Sequence, residues 1–272
     1  MPCYYQKNFQ RAFGTFPLQE QALTDALTCA IETGYRAIDT AQMYGNEAQT
    51  GECIAHSTIT TSEFLITTKV HPDNFDEALF LPSVEQSIKD LQADVIDVLL
   101  LHWPPVDGNI EPSLKLLNKA ADEGLARHIG ISNYTAQMMR EAIAITNRPL
   151  VTNQVEFHPL LNQDILLSAS VETEIPLSSY CSVARGKALE APLINQLATQ
   201  YNCTAAQIAL RWALQKGVTI NTMSTKPQNI RSNYAVMEFT LSSIDMAKID
   251  ELTQTNYRAV TKERVPWAPQ WD

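Results

Sequence analysis

Short apolar stretches alternate with amphipathic ones along the whole of this chain, and that order leaves few folds open. The apolar stretches are RAFGTFP (11–17), Ala37-Ile38-Asp39 within 35–44, FLITTKV (64–70), VIDVLLLH (95–102), ARHIGIS (126–132), VTNQVEF (151–157), IPLSSYC (175–181) and VTINTM (218–223). Between and after them the spacing predicts helices over 20–33, 46–56, 82–92, 112–123, 135–146, 163–173, 191–200, 204–216, 227–236 and 242–253. Gly34, Gly124 and Gly217 stand where helices should stop, and Pro227 where one should start. VIDVLLLH is nearly all apolar, as suits a parallel strand buried on both faces. Strand-then-helix alternation implies parallel strands joined by crossover helices. Eight such units in 272 residues match an α/β fold of the (β/α)8 TIM barrel type, forming one domain over 1–272. A doubly wound sheet is the competing arrangement, but the nine glycines include no G-x-G-x-x-G to support it.

The 20 Lys and Arg are outnumbered by 30 Asp and Glu, a formal net charge of −10. That balance argues against nucleic acid or an anionic membrane surface as partner, since both want a basic face. No run reaches the roughly 18 apolar residues of a membrane span. The opening MPCYYQKNFQ lacks the apolar run of a signal peptide. Cys3, Cys29, Cys53, Cys181 and Cys203 are odd in number and form no C-x-x-C pair, so reduced thiols in a cytoplasmic setting are expected.

In barrels of this kind catalytic groups gather at the carboxyl ends of the strands. Those ends carry Asp39, Lys69, His102, Ser132 with Asn133, Gln154 with Glu156, Tyr180, and Ser224 to Lys226, whereas the amino ends carry no comparable set. A single polar strand end is more often structural, but six or more on one rim make a candidate site. Tyr44 lies on the loop just after Asp39. An ammonium beside a phenol favours the phenolate, so Lys69 is expected to lower the Tyr44 pKa from about 10. Asp39 would pair with Lys69 and fix it. Tyr44 then becomes a proton donor to an oxygen gaining charge, and His102 orients a carbonyl. No nucleophile is required, so the natural reaction is carbonyl reduction by an external hydride. An aldolase using Lys69 as a Schiff-base amine stays open. Glu156 and His158 are too few ligands for a metal and read as structural. There is no P-loop and no H-E-x-x-H.

Several motifs, taken together, resemble the aldo-keto reductases. They are Gly34-Tyr35-Arg36-Ala37-Ile38-Asp39-Thr40-Ala41 with Tyr44 and Asn46-Glu47, then Thr67-Thr68-Lys69, Leu101-His102-Trp103-Pro104, Gly130-Ile131-Ser132-Asn133-Tyr134 and Asn153-Gln154. The likeness runs from Gly14-Thr15 to Trp271-Asp272. Gly186-Lys187-Ala188-Leu189 and the Ala268-Pro269-x-Trp271-Asp272 ending point to the bacterial branch that reduces 2,5-diketo-D-gluconate and methylglyoxal. The resemblance implies an NADPH-dependent reductase, with NADH the weaker cofactor, acting as a cytoplasmic monomer. It makes Tyr44 the general acid, Asp39 and Lys69 its tuning pair, and His102 the carbonyl orienter. Ser132, Asn133 and Gln154 would hold the nicotinamide carboxamide and Tyr180 would stack on the ring. The loop 181–187, with Ser182, would cover the pyrophosphate, and Gly14, Thr15, Asp39 and Asn233 complete the cofactor set. Phe16, His71, His102 and Trp103 would shape the substrate pocket. A barrel that binds NADPH without turning it over is the other reading of the same motifs.

The chain departs from the family pattern at its last strand. The usual Ile-Pro-Lys-Ser is Asn221-Thr222-Met223-Ser224 here, and a downstream arginine becomes Asn229. Ser224, Thr225 and Lys226 precede a helix start, where free N–H groups and the helix dipole attract an anion. Two hydroxyls and one ammonium there are expected to hold the 2′-phosphate of NADPH. The alternative is an ordinary helix cap with Lys226 in solvent.

Overall fold

A computed structural model describes residues 9–272. Cys3 and most of the stretch read for a signal peptide lie outside the described residues. Eight strands close into a barrel in chain order, every neighbouring pair parallel. They are β1 (Arg11–Gly14), β2 (Ala37–Asp39), β3 (Leu65–Val70), β4 (Ile96–Leu101), β5 (Ala126–Ser132), β6 (Leu150–Glu156), β7 (Leu177–Tyr180) and β8 (Thr219–Thr222). The ring closes with Phe13 of β1 opposite Thr222 of β8. Around it lie α1 (Glu20–Thr33), α2 (Glu47–Ala55), α3 (Phe80–Asp90), α4 (Glu111–Asp122), α5 (Ala136–Ile145), α6 (Asp164–Thr173), α7 (Pro192–Gln200), α8 (Ala205–Gln215), α9 (Pro227–Tyr234) and α10 (Ser243–Leu252).

The two-residue period of the strands sorts their side chains. On one face Ala37, Leu65, Val98 and Leu100 join Ala12 and Val151 in a small apolar plug inside the barrel. Farther along the same faces come Asp39, Thr67, Lys69 and His102, so the interior turns polar toward the carboxyl ends. On the other face Ile38, Ile66, Val70, Leu99 and Leu101 belong to the large core between sheet and helices. Thr68 also faces outward. Its hydroxyl donates to Glu47 Oε1 at 2.5 Å, and Ser87 Oγ donates to Glu47 Oε2 at 3.2 Å, which ties β3, α2 and α3 together.

Most boundaries fall within two residues of expectation. β1 ends at Gly14 rather than running to Pro17, because Thr15 N donates to Asp39 O and Leu18 N folds back to Thr15 O. β7 is shorter than 175–181 at both ends. Pro176 has no N–H to give the ladder, and Cys181 turns out of the strand with a left-handed φ of 51°. α3 begins two residues before Pro82, whose missing N–H falls among the orphan donors of the first turn. Short 3-10 turns at Gln42–Tyr44, Pro72–Asn74 and Ala184–Glu190 carry no period that a sequence reading detects.

Candidate active site

The rim at the carboxyl ends holds a buried ion pair. Lys69 Nζ lies 2.6 Å from Asp39 Oδ1, with the lysine side chain wholly buried and the aspartate nearly so. The ammonium has three protons. The second goes to Thr40 O at 2.8 Å and the third to Tyr44 Oη at 3.3 Å. Asp39 Oδ2 accepts from Gln154 Nε2 at 2.7 Å and from Asn221 Nδ2 at 3.4 Å. The Tyr44 ring meets His102 edge-on at 5.4 Å and Phe16 at 5.0 Å. Four elements thus bring Asp39, Tyr44, Lys69 and His102 to one place.

Local sequence fixes Tyr44. Gln42, in the same turn, donates to Ser83 and Ser87 on α3 and accepts from His71 N at 2.8 Å and Asn74 Nδ2 at 2.9 Å. Gln19 donates to Tyr44 O at 2.7 Å. Gly45 then ends the turn at φ 64°, a conformation that a side chain makes costly. Asn46 follows, donating to Leu18 O at 2.9 Å and accepting from Thr40 at 2.9 Å. The phenol is braced from three sides before any ligand arrives.

A second polar group adjoins the first. Ser132 Oγ donates to Gln154 O at 2.8 Å, and Asn133 Nδ2 donates to His102 O and to Ser132 Oγ, each at 3.0 Å. Tyr180 Oη donates to Asn133 Oδ1 at 2.6 Å. Asn133 holds a left-handed φ of 65°, which asparagine tolerates better than most residues.

The sequence model of the Aldo/keto reductase family matches residues 11–254. Over 262 residues the chain is 40% identical to methylglyoxal reductase DkgB of Yersinia pestis, covering 95% of this chain and 97% of that protein. The same enzyme of Salmonella typhi is 37% identical over the same spans. The fold superimposes on the crystal structure of a candidate 2,5-diketo-D-gluconic acid reductase B with a TM-score of 0.94 and 36% identity, covering 100% and 98% of the two chains. This chain belongs to the aldo/keto reductase family.

It is therefore an oxidoreductase of carbonyl compounds, in a family that generally uses NAD(P)H. The electrostatics of the aldo/keto reductase site follow from burial. Burial raises the Tyr44 pKa above 10.0; Lys69 works against it, Asp39 with it, and burial prevails. That corrects the expectation of a net lowering by Lys69, which counted the ammonium and not the lost solvent. For Lys69 burial lowers the pKa, but Asp39 and then Tyr44 reverse this and the net shift is upward. The amine stays an ammonium and lacks the lone pair that a Schiff base requires. Burial, then the Lys69 and His71 charges, hold His102 well below 6.5, so its ring is neutral. Burial likewise keeps the Tyr180 hydroxyl protonated, well above its ordinary value.

Of the residues expected to bind cofactor, Ser132, Asn133, Gln154 and Tyr180 cluster beside the buried pair. Ser182 sits next to them, sharing a 2.6 Å hydrogen bond with Ser179 and donating to Asn221 O. Gly14 pairs with Asp39 across β1 and β2. Thr15 does not come to the rim: it is fully buried, its hydroxyl directed to Thr40 Oγ1 and Asn46 Oδ1. Ser224, Thr225 and Lys226 lead into α9. Ser224 Oγ does not cap that helix but accepts from Lys226 N at 3.1 Å. Asn233 is buried on α9. The loop after β7 packs Ala184 and Ala188 against Leu160, while Lys187 lies 4.3 Å over Tyr257.

On the substrate side, Phe16 is 53% exposed and Trp103 only 5%. Trp103 is covered because the tail folds back over it. Trp271 meets Trp103 at 6.4 Å, and Trp267 meets His71 edge-on at 5.4 Å. The sequence reading passed over both tail tryptophans. Glu156 holds the tail in place, accepting from Ala259 N at 2.6 Å, Val260 N at 2.9 Å and His158 Nε2 at 2.8 Å. Burial opposes that carboxylate's charge, yet the hydrogen bonds from His158, Ala259 and Val260 outweigh it and its pKa is lowered. Asp272 Oδ2 accepts from Ala136 N, at the start of α5, at 2.9 Å.

Proposed function

We propose that this chain reduces small aldehydes and ketones, methylglyoxal and 2,5-diketo acids among them, to alcohols with NADPH, and that Tyr44 is the general acid. The observation that carries the reading is Lys69 Nζ held at 2.6 Å from Asp39 and 3.3 Å from the Tyr44 hydroxyl in a dry site beside a neutral imidazole. The rim also suits a nicotinamide dinucleotide. Asn221 Oδ1 and Asn233 Oδ1, at β8 and α9, are buried acceptors without donors. Such groups are costly to leave unmet, and a nucleotide brings amino and amide hydrogens to them. Ser132, Asn133, Gln154 and Tyr180 would hold the nicotinamide end, and Ser224, Thr225 and Lys226 the 2′-phosphate. When bound, NADPH supplies the hydride that the carbonyl carbon receives.

The chain's own residues do the rest. His102 fixes the carbonyl oxygen near the Tyr44 hydroxyl. Burial keeps that hydroxyl protonated until the oxygen gains charge. Tyr44 then gives up its proton, and Lys69 stabilises the phenolate that remains. Asp39, tied by Gln154, keeps the ammonium from swinging away. The four described thiols are unpaired, which agrees with a cytoplasmic setting.

Consumption of NADPH with methylglyoxal, followed by its absorbance, tests the reaction. Tyr44→Phe should lower kcat by about 10²–10⁴, the usual worth of a positioned acid. An unchanged rate would end the proposal. Lys226→Ala should weaken NADPH about tenfold and leave NADH alone, since only one of them carries the extra phosphate.

A further inference from the structure

Beside the rim lie two buried donors with nothing to donate to. Arg258 Nη1 and Trp271 Nε1 are both shielded from solvent and both lack an acceptor among the described residues. They are neighbours, with Arg258 Cζ 4.2 Å above the Trp271 ring. Acceptors stand nearby but are already engaged. Glu156 takes His158, Ala259 and Val260, and Asp272 takes Ala136. No carboxylate among the described residues forms an ion pair with Arg258. In a chain of net charge −10, an unpaired, part-buried guanidinium invites an anion. The second donor beside it selects one with two oxygens.

The pair belongs to the mouth of the same site. Trp271 packs on Trp103, which stacks on His102 at 6.2 Å, and His102 touches Tyr44. Tyr180 feels the charges of both Arg258 and Tyr44. Two rings, His102 and Trp103, stand between the phenol and the unpartnered donors. A ligand touching both ends needs its carbonyl and its anion several carbons apart.

We infer that Arg258 and Trp271 bind the carboxylate of an oxo acid whose remote carbonyl is the group reduced. This rests on the carbonyl reductase reading above and names its substrate class. The carboxylate takes one hydrogen bond from Arg258 Nη1 and one from Trp271 Nε1. The indole face holds the guanidinium in register, and the carbon chain runs past Trp103 toward His102 and Tyr44.

The test compares 5-oxopentanoate with its methyl ester, with NADPH saturating. The acid should have the lower KM. Arg258→Gln should raise KM for the acid about tenfold or more, as expected of one charge-assisted hydrogen bond, with kcat for the acid changed far less. Trp271→Phe should raise it by a smaller factor, and Arg258→Lys should fall between wild type and Arg258→Gln. Arg264→Gln, which alters a tail arginine bonded only to Ala259 O, should leave the acid-to-ester ratio of KM values as it was. Equal KM values for acid and ester in the wild type, or an equal shift of both in Arg258→Gln, would overturn the inference. Turnover of neither compound would count against the reductase reading instead. Calorimetry with 5-hydroxypentanoate then decides this site alone: binding weakened in Arg258→Gln upholds it, and equal or absent binding refutes it.

Discussion

Replacing Asp39 with asparagine separates charge from shape at the centre of the site. The wild-type carboxylate accepts from Lys69 on one oxygen and from Gln154 and Asn221 on the other. Asparagine can keep its oxygen toward Lys69, and its new NH2 can meet Gln154 if that amide flips. Most hydrogen bonds survive the change; the counter-charge does not. Lys69 is wholly buried, so solvent cannot take over. Breaking one side of a buried pair typically costs about 3–5 kcal/mol. For a chain of this size that is a fall in Tm of about 6–20 °C. The pH dependence carries a sign. In the wild type the folded Lys69 pKa is raised, so the pair's stabilisation is full below the unfolded value of about 10.4 and fades as pH rises through the folded one. With Asp39 gone, burial dominates and the folded pKa drops below the unfolded value. Asp39→Asn should then gain stability relative to wild type as pH is raised toward 10. Urea unfolding at several pH values measures both effects. A loss under about 1 kcal/mol, with no alkaline recovery, would refute the argument. So would Asp39→Asn with Lys69→Met losing as much as the two single losses added, since removing both charges should spare the orphan penalty.

The remaining predictions concern other buried groups. His102 has a folded pKa well below its ordinary 6.5; protonating the unfolded chain should therefore erode wild-type stability as pH falls below about 6.5, and His102→Asn should lessen that slope in urea unfolding. Glu156 has a lowered pKa, so its stabilisation is present above the unfolded value of about 4.3 and is lost as pH falls through the folded one. Glu156→Gln should remove that acid-side loss and speed amide exchange at Ala259 and Val260, which hydrogen exchange would report. Asp272→Ala should free the Ala136 amide and cost about 0.5–2 kcal/mol, read from unfolding, because a carboxylate at a helix start is a cap.

The catalytic quartet was legible because strand periodicity and strand ends are written locally. Alternation puts Ala37 and Asp39 on one face, and Leu65, Thr67 and Lys69 on another, so the polar turn of the barrel interior can be read two residues at a time. Thr15 shows where that stops. A polar residue after a strand end says nothing of which way the chain then bends, and here it bends inward to Thr40 and Asn46. The tail was opaque for a different reason. VPWAPQWD has no period, and its place depends on Glu156 and Ala136, more than a hundred residues away. Arg258 and Trp271 therefore carried no signal until the fold brought them together. The direction of the Tyr44 shift also lay beyond reach. Sequence names the neighbouring ammonium, but how fully water is excluded is a property of the closed barrel.

That exclusion changes what the lysine is for. A phenol whose pKa lies above 10 holds its proton across the physiological range without help. In the proposed mechanism Lys69 is needed after the proton has left, when the oxygen bears a full charge in a site without solvent. Its contact with the neutral hydroxyl is long, at 3.3 Å, while its contact with Asp39 is short, at 2.6 Å. The ammonium thus rests on the carboxylate and has room to strengthen its bond to Tyr44 as charge develops. An interaction weak in the ground state and strong in the transition state raises kcat rather than tightening substrate binding. Lys69→Met should consequently lower kcat far more than it alters KM. A variant that raised KM and left kcat intact would show that the ammonium serves binding, not proton transfer.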